Sequence, residues 1–158
     1  MNNFKKTAFL VLFFFLTTIQ VGCSEDATTF KSDEIRVQTV SHGTYNFEVE
    51  LALTPAQQQQ GLMHRESLDE NKGMLFVFPN PSDLGFWMKN TLIPLDMIFI
   101  DKDGVVINVH SMAKPKDLTT VKSKGLAKAV LEINGGLAEK LGIVEGSIII
   151  HTSFGNDF

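Results

Sequence analysis

The densest group of chemically active side chains lies in residues 86–91, whose sequence is FWMKNT. If residues 86–90 and 95–100 form an antiparallel hairpin, Lys89 pairs with Asp96, and Trp87 lies on the same face. A carboxylate among apolar side chains loses hydration and requires a partner, which Lys89 can supply. The pattern predicts either a structural ion pair or a polar site in an apolar pocket, with Trp87 as its wall.

Two further charged residues stand in apolar surroundings. Arg65 follows the first predicted helix, and Glu132 lies within the apolar strand 130–133. Because charged residues in such positions usually pair with one another, we expect a cluster of Arg65, Lys89, Asp96 and Glu132. The cluster would be either a structural network or the floor of a site for an anion or a sugar. The candidate ligand-binding residues are Arg65, Trp87, Lys89, Asn90 and Asp96.

Catalysis by this cluster is an alternative. Asp96 and Glu132 could serve as the paired carboxyl groups of a carbohydrate hydrolase, one as acid and the other as base or nucleophile. The sequence has no G-x-S-x-G nucleophile motif and no phosphate-binding glycine loop. We therefore favour a binding domain without catalysis and without a cofactor.

Copper binding is a further alternative. Met63, His64 and Met88 carry thioether and imidazole groups, which suit Cu(I) in an exported protein. Met74, Met88 and Met97 fall on apolar strands, where filling gaps in a core is the ordinary role of this residue.

The elements that must position these residues are mainly strands. Thr54, Pro55 and Gln57 form a capping-box pattern, which predicts the first helix, and Gly142 closes a second predicted helix over 136–141. The pattern predicts a mainly β domain of the α+β class, a small, partly closed barrel of about seven or eight short strands with two short helices. The strands are expected within 35–39, 45–53, 74–78, 86–90, 95–101, 105–110, 129–133 and 148–151.

Composition limits the classes of partner. The chain of 158 residues has 14 basic and 18 acidic side chains and a net charge of -4, which argues against binding nucleic acid. The single cysteine excludes an internal disulfide and a cysteine-rich zinc site. We expect one domain, over residues 35–158.

The amino terminus has the features of an export signal. Lys5 and Lys6 precede the apolar run 8–16, which is much shorter than the roughly 20 residues of a spanning helix. Residues 1–22 are therefore predicted to be a signal peptide. Residues 21–24, VGCS, resemble the lipobox of bacterial lipoproteins, which implies lipidation of Cys23 and a polar tether over 23–34. An ordinary secretory signal is the alternative.

Four blocks resemble the hallmark segments of the bacterial and archaeal domain-of-unknown-function family 192. They are GLMHRESL (61–68), GMLFVF (73–78), FWMKNTLIPLDMIFID (86–101) and VLEINGGLAEKLGIVEG (130–146). The resemblance covers about residues 37–150 and implies a compact β-rich domain, often exported, with no activity to carry over. Relatives commonly have an aromatic residue where this chain has His64.

Together these observations predict an exported, non-catalytic cell-envelope domain. It would be anchored in the membrane through lipid on Cys23, and its Trp87, Lys89 and Asp96 rim would bind a small polar ligand, a glycan or a protein. In a Gram-negative host, Ser24 after the cysteine resembles the signal that sorts lipoproteins to the outer membrane. The domain would then lie on the periplasmic face of that membrane.

Overall fold

The structure is a computed structural model that describes residues 29–41 and 43–157. Seven strands and two short helices follow one another along the chain, which confirms the predicted mainly β class. The elements are β1 (Lys31–Gln38), β2 (Thr44–Ala52), α1 (Pro55–Gln60), β3 (Lys72–Phe86), β4 (Leu95–Ile100), β5 (Val106–Ala113), β6 (Val121–Asn134), α2 (Leu137–Leu141) and β7 (Ile148–Ile150). The predicted signal peptide and Cys23 lie outside the described residues.

The strands form one sheet in the order β5-β4-β6-β3-β2-β1-β7. Neighbours are antiparallel except β2 and β3, which run parallel and are joined across α1. The first strand begins at Lys31, so residues 31–34, which were predicted as part of a polar tether over 23–34, belong to β1. Residues 31–34 pair with β2 and are exposed or half-buried, whereas Ile35 and Val37 of the same strand reach the core.

The two edges of the sheet meet at a seam, which consists of residues 104–106 and 146–149. Val105 bridges to Ile148, Val106 N–H donates to Ser147 O over 2.8 Å, and Ile149 N–H donates to Gly104 O over 2.7 Å. Gly104 has φ of 85°, and a Cβ there would lie 2.5 Å from Ile149 O, so the seam requires glycine. The predicted partly closed barrel is confirmed.

Side chains alternate between two cores along the central strands. The inner core receives residues from all seven strands and from α2. The outer core lies on the opposite face of β3, β4 and β6, where Met74, Met97 and Phe99 are fully buried beneath Leu62 and Met88. Burial on both faces explains why the central strands consist of near-continuous apolar runs.

The capping box at the start of α1 forms as predicted. Gln57 N–H donates to Thr54 Oγ1 over 3.3 Å, and Gln57 Oε1 accepts from Thr54 N–H over 3.0 Å. Gln57 Nε2 also donates to Thr29 O over 2.8 Å, and Gln58 Nε2 donates to Val77 O over 2.9 Å. The glutamines of α1 therefore hold both the amino-terminal segment and β3.

The hairpin predicted between residues 86–90 and 95–100 does not form. β3 continues to Phe86 and pairs there with Val121 of β6, whereas β4 pairs with β5 and β6. Residues 121–125, although polar, are strand because the end of β3 supplies them with a partner. The loop after Phe86 is held instead by Met88 N–H, which donates to Asp117 O over 2.9 Å.

Candidate functional site

A cavity of about 260 Å³ opens where the end of α1, the second half of β3 and the loop after Phe86 meet β6. Its wall is mixed, with apolar and aromatic side chains beside glutamine, lysine, threonine and glutamate side chains. The lining residues are Gln58, Gln59, Gln60, Gly61, Leu62, Met63, Phe76, Phe78, Gly85, Phe86, Trp87, Lys89, Thr91 and Glu132. We refer to it as the Glu132 cavity.

Glu132 is the buried acid of this cavity. Its residue is 5% exposed, and burial raises the pKa of its carboxyl group to about 8. Among the described residues, none forms a hydrogen bond or an ion pair with that carboxyl group. The carboxyl group is therefore largely protonated at neutral pH and has hydrogen-bonding capacity that a ligand could use.

Aromatic rings fix one wall of the cavity. Phe86 packs edge-to-face with Phe76, with ring centroids 5.0 Å apart, and with Phe78 at 6.3 Å. It also contacts Phe99 of the outer core at 6.0 Å. Interlocked rings of this kind move little, so the wall is preformed.

Trp87 and Lys89 form the rim. Trp87 is 50% exposed, and the Nζ atom of Lys89 lies 5.4 Å from the centroid of the indole ring. This distance is that of a cation–π interaction. Trp87 and Lys89 thus meet at this cavity, on a loop and not on the predicted hairpin.

Backbone strain borders the same cavity. His64 and Asn90 both have left-handed backbone, with φ of 64° and 55°, and His64 N–H donates to Asn90 O over 2.9 Å. The side chain of Asn90 donates to the sulfur of Met63 at 3.9 Å, and Met63 lines the cavity. Strained non-glycine residues persist where the surrounding structure enforces them, and they concentrate at functional sites.

Asp96 lies elsewhere, and the predicted pair with Lys89 does not form. Its fully buried carboxylate accepts from the N–H groups of Met112 and Gly136 at 2.8 Å and of Ala138 at 2.7 Å. Gly136 is the N-cap of α2 and has no side chain that could accept hydrogen bonds from the first N–H groups of the helix. Asp96 therefore caps α2 from a distant strand, a structural role.

Arg65 is also separate from the cavity. It forms an ion pair with Glu50 and lies 5.9 Å from the ring centroid of Phe30. It lines a different cavity, of about 130 Å³, with Glu48 and Lys72. Of the four charges predicted to cluster, only Lys89 and Glu132 share the Glu132 cavity.

The carboxyl pair needed for the predicted hydrolase does not form. Asp96 pairs with Ile133, and Glu132 pairs with Met97, so Asp96 and Glu132 project from opposite faces of the sheet. A sheet separates two carboxyl groups that would have to flank one glycosidic bond.

The residues predicted for copper have different surroundings. His64 is exposed, Met88 is buried in the outer core, and Met63 borders the Glu132 cavity. Within residues 29–41 and 43–157, no group of three or more His, Cys, Asp or Glu side chains could hold a metal ion. Copper binding by Met63, His64 and Met88 stays a prediction.

Several lining residues were not expected from the sequence. Gln58, Phe78 and Thr91 reach the cavity because α1 packs on β3 and because the loop after Phe86 folds back over it. The capping box signalled where α1 begins, but nothing in the sequence indicated which strand it would cover.

In the described part of the chain, no helix has the length and apolar character needed to cross a membrane.

Comparison with known proteins gives a family and a fold. The family model DUF192, described as "Uncharacterized ACR", matches residues 37–151. A crystal structure from Sinorhizobium meliloti 1021, provisionally described as a transcription regulator, is 36% identical with a TM-score of 0.78, covering 80% of this chain and 98% of that one. A protein of unknown function from Novosphingobium aromaticivorans DSM 12444 is 40% identical with a TM-score of 0.74, covering 79% and 94%. No curated protein matches the chain.

Proposed function

We propose that this protein, which belongs to the uncharacterised domain-of-unknown-function family 192, is a non-catalytic, lipid-anchored domain of the cell envelope that binds a small polar ligand in the Glu132 cavity. The carboxyl group of Glu132 carries the proposal. It is nearly fully buried, it lines an open cavity, and no described residue satisfies it. A carboxyl group that opens on a cavity and bonds to no described residue can exchange hydrogen bonds with a ligand in that cavity.

The volume and lining of the cavity support binding of a ligand of limited size. Drug-sized ligands occupy pockets of roughly 300–1,000 Å³, and the Glu132 cavity, at about 260 Å³, is slightly smaller. Its lining combines aromatic side chains with polar ones, and convergent polar groups are what fixes the orientation of a small ligand in a site. The half-exposed indole of Trp87 offers a flat apolar surface at the entrance.

The proposed location rests on the amino terminus. The export features and lipobox-like VGCS segment support lipidation at Cys23. Only residues 24–28 separate that cysteine from Thr29, a span of at most about 20 Å when extended. Thr29 is hydrogen-bonded to α1, whose last three residues line the cavity. Anchoring at Cys23 would therefore hold the cavity close to the membrane surface.

DNA binding is not proposed. The provisional description of the Sinorhizobium relative is the one pointer to it. A net charge of -4 supplies no excess of positive charge to neutralise phosphates.

The test uses Trp87 as its reporter, because it is the only tryptophan in the chain. A library of small polar compounds would be screened against the full-length protein in detergent, by tryptophan emission and by melting temperature. We expect compounds that alter both in the wild type and lose at least tenfold in affinity in Glu132→Met. This substitution makes the cavity floor resemble the adjacent buried methionines.

Glu145→Met, at an exposed glutamate, is the matched control and should bind as the wild type does. The proposal fails if no compound binds, or if every bound compound keeps its affinity in Glu132→Met.

A further inference from the structure

We propose that the Glu132 cavity binds a phosphoethanolamine group, with the ligand's ammonium at Glu132 and its phosphate at Lys89. This inference rests on the proposed function and names the ligand class. It assigns separate roles to the floor and the rim of one cavity.

The arrangement of charge selects a dipolar ligand. Of the residues described as lining the cavity, Glu132 and Lys89 are the two that can carry charge, and they have opposite signs. Glu132 is buried, whereas Lys89 is exposed at the rim. A complementary ligand therefore has a cationic end that enters and an anionic end that stays outside.

The wall also favours a cation inside. Phe76, Phe78 and Phe86 line one wall, and aromatic faces attract ammonium groups. The rim already contains one such contact, between Lys89 and Trp87. An anion that entered would meet the same faces without compensation and would come close to the Glu132 carboxyl group.

Ionisation of Glu132 is accessible when such a ligand binds. With a pKa of about 8, roughly one carboxyl group in ten is ionised at pH 7. Binding an ammonium group therefore requires loss of one proton from Glu132, which reduces affinity about tenfold. The ion pair that forms inside the cavity opposes this loss, because attraction between charges is strong where water is excluded.

A primary and a quaternary ammonium group would interact differently with Glu132 at the floor of the cavity. A primary ammonium has N–H groups that can donate to the carboxylate, whereas a trimethylammonium group has none and is bulkier. The two-carbon linker of ethanolamine is also short, as a cavity of about 260 Å³ requires. The group occurs both as free phosphoethanolamine and as the headgroup of a zwitterionic lipid, and the proposed anchor would place the cavity near that headgroup.

The experiment titrates full-length protein, in a non-ionic detergent, with phosphoethanolamine and with phosphocholine while Trp87 emission is recorded. We expect phosphocholine to bind at least tenfold more weakly. Glu132→Gln should weaken phosphoethanolamine binding at least tenfold, since the amide cannot become a carboxylate. Lys89→Met should weaken it about threefold or more, and Glu145→Gln should have no effect.

Calorimetry in two buffers of different ionisation enthalpy adds a readout that a merely structural role would not alter. At pH 7 we expect release of about 0.9 proton per ligand bound, from the raised pKa of Glu132. Equal affinity for phosphocholine, an unchanged affinity in Glu132→Gln, or no proton release would each overturn the inference.

Nanodiscs distinguish the two sources of the group. If phosphatidylethanolamine discs compete with free phosphoethanolamine and phosphatidylcholine discs do not, the lipid headgroup is the ligand. If neither kind of disc competes, the ligand is the free molecule. If screened compounds bind at Glu132 but phosphoethanolamine does not, the inference fails while the proposed function stands. If nothing binds, both fail.

Discussion

Glu132 lies directly opposite Met74 on the neighbouring strand β3, so its carboxyl group stands beside a fully buried thioether. On the other side, Met97 of β4 occupies the equivalent position. Neither methionine carries a charge that could compensate for ionisation of Glu132, which lies between them. The fold therefore keeps a proton on Glu132 well above the pH at which an exposed glutamate releases it.

This arrangement predicts a pH-dependent cost to stability. The pKa of Glu132 rises from 4.5 in the unfolded chain to about 8 in the fold, so the folded state binds more protons between these values. The contribution of Glu132 to the free energy of unfolding is fully present below pH 4.5. It falls by about 1.4 kcal/mol per pH unit between there and pH 8. Glu132→Gln removes that dependence, and its stability relative to the wild type should rise by about 3 kcal/mol from pH 5 to pH 8.

Urea unfolding at the two pH values measures this difference. Glu145→Gln, at an exposed position, controls for loss of a carboxyl group in general and should show no comparable trend. A constant difference between Glu132→Gln and the wild type across this range would contradict a raised pKa.

Asp96 should contribute strongly to stability. Asp96→Asn replaces one acceptor oxygen by a donor that faces backbone N–H groups, and we expect a loss of about 3 kcal/mol in unfolding free energy. The amides of Gly136 and Ala138 should also exchange faster with deuterium, since they lose their acceptor. Asp83→Asn, at an exposed aspartate, is the control. A loss below about 1 kcal/mol would show that Asp96 does not cap α2.

Arg65 should be unimportant for ligand binding at the Glu132 cavity. Its ion pair with Glu50 joins side chains that are 31% and 32% exposed, so Arg65→Met should cost no more than about 1 kcal/mol in stability. Ligand affinity measured through Trp87 should change less than twofold, in contrast to Lys89→Met. A tenfold loss in Arg65→Met would mean that the two cavities act together.

Cys23 is predicted to be the membrane anchor. Wild-type protein should fractionate with membranes, and the mass of its mature amino terminus should include acyl chains. Cys23→Ala should abolish both the added mass and the membrane association. Membrane association that persists unchanged in Cys23→Ala would favour another mode of attachment.

Much of the fold could be predicted from the sequence because its signals are local. Alternation of apolar residues identified β1 and β2, and the capping box located α1 to the residue. The apolar runs 74–78, 95–101 and 129–133 predict strands, and they overlap with β3, β4 and β6. Their pairing was not predicted, since each is apolar on both faces and its composition does not specify a neighbour.

The site was predicted less well for the same reason. Sequence proximity suggested that Lys89 faces Asp96, but Asp96 is bound by backbone groups of residues 112, 136 and 138, which are remote in sequence. The apolar context of Glu132 indicated an acidic group in the interior, and the residue is buried. The expectation that a buried charge finds a partner then favoured a cluster, whereas the fold leaves this one open to a cavity.

The seam between the two sheet edges has a consequence for self-association. Where β5 and β7 meet, the backbone groups of residues 104–106 and 146–149 satisfy one another. A side chain at Gly104 would push against Ile149 O and separate these edges. Each freed edge would then present a row of unsatisfied amide and carbonyl groups to a second copy of the chain. The absence of a side chain at position 104 thus keeps these two edges paired within one molecule.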